Sequence, residues 1–297
     1  MQRLGTVQQK IPCAFATELR DEPSTKRPGQ IRHTSGHDWI ENRPNKLRND
    51  SGSFSLQSRA LVNDNPPLPP VEFTWNFGED FRKVPEAWIP AHGVAQSEGC
   101  PLPDENGHIP GWIPVEKGSK QHCWHLSSVN YETGSTLVLR LHSGKNLLEI
   151  TIVPLMELLE RTLELVGTHI NGNPYGLGSK KRPLHLLVCH GSLPIENPPR
   201  LELMDMAAWF KESETARVEG IVWHCAAGTL VKLHRYHLGL EWPLPDPFLA
   251  SRPVSINVDL TSFPWDFETK SPFVFLARLN GRRFDRVKDI SWEDAES

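Results

Sequence analysis

The feature that most constrains this 297-residue chain is the length of its apolar runs. STLVLRLH (135–142), LLEITIVPL (147–155) and LHLLVCHG (184–191) alternate or run apolar and then stop after a strand's length. A chain built of such pieces buries its surface in sheets, with helices as additions. QHCWHLSSV (121–129), FVFLARL (273–279) and a run around Trp112–Glu116 read the same way, while PVEFTWNF and EAWIPA nearer the N-terminus read as aromatic-rich short strands or loop anchors. Two helices are expected. One starts with Pro154 at its first position and carries Leu155, Leu158, Leu159 and Leu163 on one face. The other covers Leu203–Glu212 with Met206, Trp209 and Phe210 inward.

These runs are not spread evenly. Residues 1–20 hold one candidate strand, Cys13–Leu19, and residues 21–70 are rich in Asp, Asn, Ser, Arg and Pro, ending in NDNPPLPP. Such a segment buries too little apolar surface to offset its ordering entropy and reads as loop or disorder. It also accounts for much of the hydrophobic content of 38%, below the roughly 45–50% of ordinary globular chains. The expected organisation is a folded body over 71–253 and a C-terminal strand and tail over 254–297.

A net charge of −4 argues against holding nucleic acid by global charge and leaves room for a local basic groove. No apolar run approaches the roughly 18–20 residues that span a bilayer, so no membrane association is expected. The five cysteines are odd in number and never form CxxC. With no apolar signal segment after Met1, this fits a reducing, intracellular and cytoplasmic setting. The His/Cys pairs at 122–125, 189–190 and 224–225 match no standard zinc spacing.

The stretch VEGIVWHCAAGTLVKLHRYHLGL (218–240) carries charges that a core does not ask for. Arg217–His224 and Thr229–His234 read as a hairpin around Cys225–Gly228. A four-residue loop sets Lys232 opposite Ile221 and makes Glu219 its diagonal neighbour on one face. A carboxylate there can hold a divalent cation, and an ammonium can neutralise phosphate as a point charge. An ordinary cross-strand salt bridge on a solvated face is the competing reading.

E-G-I-V-W followed by V-K-L-H resembles motifs IV and V of the covalent nucleotidyltransferases, which include RNA and DNA ligases and mRNA capping enzymes. The longer strings LELVGTHINGNPYGLGSKK, PDENGHIPGWIPVEK and EGIVWHCAAGTLVKLHRYHLGLEWP are similar to the vertebrate 5′-to-3′ RNA ligase family (RNA ligase 1). They occur in that family's order, over residues 1–22 and about 71–253. The resemblance implies an α+β chain with an ATP-grasp-like nucleotidyltransferase (ligase) fold, antiparallel sheets flanked by helices. It implies ATP and Mg²⁺ or Mn²⁺ as cofactors. The implied partner is RNA bearing 5′-phosphate and 3′-hydroxyl ends, in RNA repair, with the chain acting as a monomer. A lysine nucleophile forms lysyl-AMP, AMP passes to the RNA 5′-phosphate, and the 3′-hydroxyl seals the break.

Residue by residue, Glu164 matches the motif III glutamate, Glu219 that of motif IV, and Lys232 the motif V lysine that contacts the α-phosphate. Both glutamates are thereby candidates for nucleotide and metal binding. Glu164 has two local readings. It can share a helix face with Glu157 and Glu160, or stand on a strand opposite in facing to Leu163 and Leu165, the reading that the resemblance favours. Gly172, Gly176 and Gly178 form a turn that can approach a nucleotide or simply connect tightly. Lys180, Lys181 and Arg182 follow as a solvated cluster or an RNA-backbone contact.

One part is missing. No K-x-D-G occurs anywhere in the chain; the lysines N-terminal to the body are Lys10, Lys26 and Lys46, Lys83 follows, and none precedes Asp-Gly at that spacing. NDSG at 49–52 lacks the lysine, and only RPNK (43–46) resembles the family there. The arginine that follows the family's motif cannot be placed either, and His92–Gly93 stand where the family carries an acidic residue after WIPA. Residues 27–70 thus read as replaced or skipped coding sequence. Three functions follow: an ATP-dependent RNA ligase, a non-catalytic nucleotide- or RNA-binding relative, or, more weakly, a capping-type guanylyltransferase.

Overall fold

The computed structural model describes residues 123–142, 147–158, 161–224, 230–261 and 271–291, with shorter pieces between residues 11 and 115. The chain divides into two compact units. The larger holds residues 1–10, 57–189 and 253–297, and the smaller residues 11–56 and 190–252.

The larger unit is built on a mixed sheet of eleven described strands. Its centre runs Leu148–Pro154, Ser135–Leu141, His185–Cys189, Thr162–Gly167. Ser135–Leu141 pairs antiparallel with Leu148–Pro154 over its whole length and parallel with His185–Cys189 at Val138↔Leu187. Val254–Asn257 runs parallel to Leu148–Pro154 on the outer side. These two parallel pairings make the sheet mixed, within the α+β class expected, while its other pairings are antiparallel. On one face Val138, Val153, Leu163, Leu165 and Leu187 are buried together with Val129 and Leu158, and Trp124 and Tyr131 pack against them. Burying a Leu or Val of this kind is worth about 1.5–3 kcal/mol each, so this face fixes which residues point the other way. Glu164 is one of those.

Three segments differ from the sequence expectation. QHCWHLSSV forms a short helix, Cys123–Ser127, before the two-residue strand Val129–Asn130. Ser127 and Ser128 fold their hydroxyls back onto the carbonyls of Trp124 and His125, a local bond that ends a strand's claim on them. The helix expected from Pro154 is only a single 3₁₀ turn, Leu155–Leu158, before Thr162–Gly167 extends. FVFLARL lies in the helix Pro272–Arg278. The Ser271 hydroxyl accepts the Val274 N–H at 3.3 Å and Pro272 supplies a pre-set φ, a start signal stronger than the run's apolar character.

Other expectations hold more closely. Pro70–Asn76, Ser135–Leu141, Leu148–Pro154 and His185–Cys189 are strands, and Leu203–Glu212 is a helix burying Met206 and Phe210, with Trp209 half-buried. The run near Trp112 is a strand shifted to His108–Pro114. Of the interval 21–70, most lies outside the described residues, and its described part includes the short strands Gln30–Ile31, Gly52–Ser53 and Arg59–Leu61. Among the described residues no helix is long and apolar enough to cross a membrane.

The smaller unit centres on an antiparallel four-stranded sheet in the order Pro194–Ile195, Gly52–Ser53, Gly220–His224, Leu230–His234. The Cys13 segment extends it, pairing with Lys232 as an isolated bridge, the Ala14 N–H donating to the Lys232 carbonyl at 2.8 Å.

Candidate active site: the Glu219–Lys232–His234 pocket

The hairpin forms, with a register one residue from expectation. His224 pairs with Leu230, so five residues (225–229, outside the described set) make the turn, and Lys232 faces Val222 instead of Ile221. Regular alternation would then put Glu219 on the face away from Lys232. Glu219 escapes this because it lies in a bend just before the strand, which begins at Gly220. Its carbonyl accepts the Arg235 N–H at 2.9 Å, while its side chain reaches His234, with Oε1 3.6 Å from Nδ1. The juxtaposition of Glu219 and Lys232 survives by a different route from the one the spacing suggested.

Arg235 anchors the backbone under this pocket. Its buried guanidinium donates to the carbonyls of Phe210 (3.2 Å), Ala216 (2.9 Å) and Glu241 (2.9 Å) and lies over the Phe210 ring. Three carbonyls from three segments thus converge on one cation, and charge-assisted bonds of this sort are the stronger kind. Gly220 completes the arrangement. A Cβ there would sit 2.5 Å from the Leu233 carbonyl oxygen and 3.2 Å from Cδ2 of His234, so the imidazole occupies the space that a side chain would need.

The electrostatics are those of a buried carboxylate beside a partly exposed lysine. Burial pushes Glu219 up to about 7, and the nearby positive charge of Lys232 only partly opposes this. His234, 1% exposed, is held well below the usual imidazole range by burial first and then by the charges of Lys232 and His237. It is therefore neutral and makes no ion pair with Glu219. His237 is driven down to about 3 by burial and by Lys232. Its Nδ1 accepts the His234 backbone N–H at 3.0 Å and faces the Cys13 thiol at 3.6 Å, so the proton sits on Nε2. Burial pushes Cys13 up to about 11, which keeps it an unreactive thiol. Tyr236 stacks against both histidines, with centroids 4.7 and 4.5 Å apart.

Glu164 belongs to the larger unit. It stands on the strand Thr162–Gly167, paired with Val188 on one side and Arg59 on the other, and is 1% exposed. The strand reading of this residue is the correct one. The helix-face alternative fails because the turn containing Glu157 ends at Leu158.

The glycine turn after Glu164 is self-braced. The Thr168 hydroxyl donates to the Leu177 carbonyl at 2.6 Å and accepts the Leu184 N–H at 3.0 Å, while the Asn173 side chain holds both the N–H and C=O of Leu177. Gly172, Gly176 and Gly178 all have positive φ. Lys180, Lys181 and Arg182 project exposed from the turn closed between Ser179 and Arg182.

Three residues of the Glu219 pocket were not singled out from the sequence: His234, Tyr236 and His237. The signal was present in VKLHRYH, because Lys232 and His234 two apart on a strand must share a face.

The chain matches the RNA ligase 1 family over residues 1–50 and 61–293. It is 45% identical to RNA ligase 1 of Mus musculus over 331 residues, covering 98% of this chain and 99% of that protein. The RNA ligase 1 proteins of Pongo abelii and Danio rerio are likewise 45% identical, each over its whole length and 99% of this chain. The aligned span of 331 positions is longer than the chain, so these relatives carry residues with no counterpart here. The interruption between the matched ranges, residues 51–60, falls inside the polar interval singled out above.

Proposed function

Because this chain belongs to the RNA ligase 1 family, we propose that it is an ATP-dependent RNA ligase joining 5′-phosphate and 3′-hydroxyl ends. The observation that carries the reading is the Lys232 ammonium acting on a buried Glu219 carboxylate in one hairpin. A compact cation held beside buried groups stabilises negative charge on a transferring phosphoryl group better than one free in water. Lys232 is the group that holds the α-phosphate of ATP. Glu219 is the oxygen donor for Mg²⁺ or Mn²⁺, which would supply further charge neutralisation. In the larger unit, Glu164 is by the resemblance a nucleotide- and metal-binding candidate, and the exposed Lys180, Lys181 and Arg182 engage the RNA backbone.

The reaction needs a lysine amine to attack the α-phosphorus, forming a P–N bond and releasing pyrophosphate. An RNA 5′-phosphate oxygen then displaces the lysine, and the RNA 3′-hydroxyl displaces AMP. The nucleophile is not in a K-x-D-G string here, so its position is the open variable. Incubation with ATP and Mg²⁺ or Mn²⁺ followed by intact mass measurement tests this. One AMP adduct, abolished by Lys→Ala at a single position among Lys10, Lys26, Lys46 and Lys83, is the expected result. Absence of any adduct with either metal overturns the catalytic reading for this chain.

A second reading has its own support. The missing K-x-D-G, and the aligned positions that this chain lacks, favour a non-catalytic nucleotide- or RNA-binding member of the family. Protection by ATP in thermal melts without adduct formation distinguishes it. A capping-type guanylyltransferase, the weaker alternative, requires an adduct with GTP in preference to ATP. The proposed setting is intracellular, with the protein acting as a monomer.

A further inference from the structure

Strand pairing in the larger unit brings together three arginines that are far apart in the sequence. Arg140 pairs with Glu149, Glu149 with Ser255, and Ser255 with Arg283, so four strands set these residues side by side on one face. On the other side of Arg140, the parallel register at Val138↔Leu187 continues two residues on to Cys189, which pairs with Leu163. Arg161 lies two residues before Leu163, and alternation gives it the same face. Arg161 and Arg140 both lie close enough to Cys189 for their charge to favour its thiolate, although burial keeps the thiol above its usual range. This face is the one opposite Glu164. The row also lies at the far end of its strands from Lys180, Lys181 and Arg182, whose turn joins Gly167 to His185.

We propose that Arg161, Arg140 and Arg283 form a track for the sugar–phosphate backbone of single-stranded RNA, a second set of contacts besides Lys180, Lys181 and Arg182. All three arginines are exposed. The carboxylate in the row, Glu149, is 5% exposed and is occupied within the protein. It accepts the Arg140 Nε–H at 3.0 Å and the Asn257 amide at 3.1 Å, with His142 Nδ1 at 3.4 Å. Glu149 thus grips Arg140 by Nε and leaves the terminal amino groups for an outside anion. Strands lie about 4.8 Å apart, so the six from Arg161 to Arg283 span about 24 Å. That length suits a polymer of phosphates better than a single one. In a chain of net charge −4, binding of a polyanion has to be local. Guanidinium–phosphate contacts position a strand without reading its bases. Facing away from Glu164, the row holds RNA and takes no part in bond making. The inference rests on the RNA ligase reading for the nature of the polymer, and not for the row itself.

The test titrates the full chain with a single-stranded oligouridylate at increasing salt, without ATP. Each phosphate contact on a single strand contributes about 0.7 to the slope of log affinity against log salt. Arg161→Gln together with Arg283→Gln should therefore make the slope shallower by about 1.4, and adding Arg140→Gln by about 2 in all. The pair carries the test if Arg140→Gln does not fold, since Arg140 also binds Glu149. Arg200→Gln together with Lys211→Gln removes the same charge from exposed positions of the smaller unit and should leave the slope as in wild type. An unchanged slope in the Arg161 and Arg283 pair, or an equal change in the Arg200 and Lys211 pair, overturns the track. Wild-type binding then leaves the RNA reading standing. No binding of the oligouridylate by wild type overturns both.

Discussion

Glu219→Gln should make the metal-free protein more stable at alkaline pH while removing a group that the proposed function needs. The Glu219 carboxyl is displaced from 4.5 to about 7 because burial disfavours its charge more than Lys232 favours it. That displacement corresponds to about 3 kcal/mol against the ionised form. The sign follows from proton counting. Between pH 4.5 and 7 the folded chain holds a proton that the unfolded chain has released, so stability falls as pH rises through this window and is level above it. Glutamine keeps the shape and cannot ionise, which removes this slope. In chelator-treated samples unfolded with denaturant, Glu219→Gln should match wild type near pH 5 and exceed it by about 2–4 kcal/mol at pH 8.5. The same variant should lose Mn²⁺ affinity. If Glu219→Gln is less stable than wild type at pH 8.5, the carboxylate is already satisfied, and the picture of a pocket strained toward a cation is wrong.

Gly220→Ala should cost about 1–3 kcal/mol in denaturant unfolding, because its Cβ would meet the Leu233 carbonyl at 2.5 Å; Gly134, with nothing within 4 Å of a Cβ, is the control for φ strain alone. Glu149 faces burial that raises its pKa, but the Asn257, Arg140 and His142 contacts outweigh it and hold the carboxyl below its usual 4.5. Its contribution is present above pH 4.5 and lost as pH falls through the lower folded value, so Glu149→Gln should cost about 1–3 kcal/mol at pH 6 and less at pH 3. Replacing Lys180, Lys181 and Arg182 together by Ala should leave the melting temperature unchanged, since all three are exposed. Titrated with single-stranded RNA, that variant should show a salt dependence shallower by about 2 in log–log slope; an unchanged slope removes this cluster from the RNA surface.

What the sequence revealed and what it hid divide along physical lines. Long apolar strands such as Ser135–Leu141 and Leu148–Pro154 were legible because burial sets their pattern and seven residues suffice to display it. Cys123–Ser127 was not, because five residues cannot separate the two periodicities and the deciding bonds are hydroxyl-to-carbonyl contacts. The hairpin was legible as a hairpin, but its register hung on one turn residue. Glu164 was locally ambiguous between helix face and strand, and the family resemblance favoured the strand that the structure shows, with Leu163 and Leu165 in the core on either side. His234 stayed hidden for a different reason. A histidine in an apolar run reads as a satisfied core residue, and only coordinates show its Nδ1 beside the Glu219 carboxylate.

The break in the family pattern has a structural counterpart. The strand carrying Glu164 is flanked by Arg59–Leu61 through only three paired positions, Thr162↔Leu61, Leu163↔Ala60 and Glu164↔Arg59. Two of these partners, Arg59 and Ala60, lie in the stretch 51–60 that the family match leaves out. Arg59–Leu61 in turn pairs with Pro70–Asn76, so it supplies the backbone partners that the interior strand of Glu164 needs on that side. Glu219 and Lys232, by contrast, sit in a hairpin that 61–293 matches without interruption. The interruption touches both surroundings, because Gly52–Ser53, also within 51–60, pairs with the hairpin strand at Val222↔Ser53. Glu219 and Lys232 themselves lie in the matched range, so binding of phosphate and metal has to be measured separately from adduct formation before this chain is counted as a catalyst.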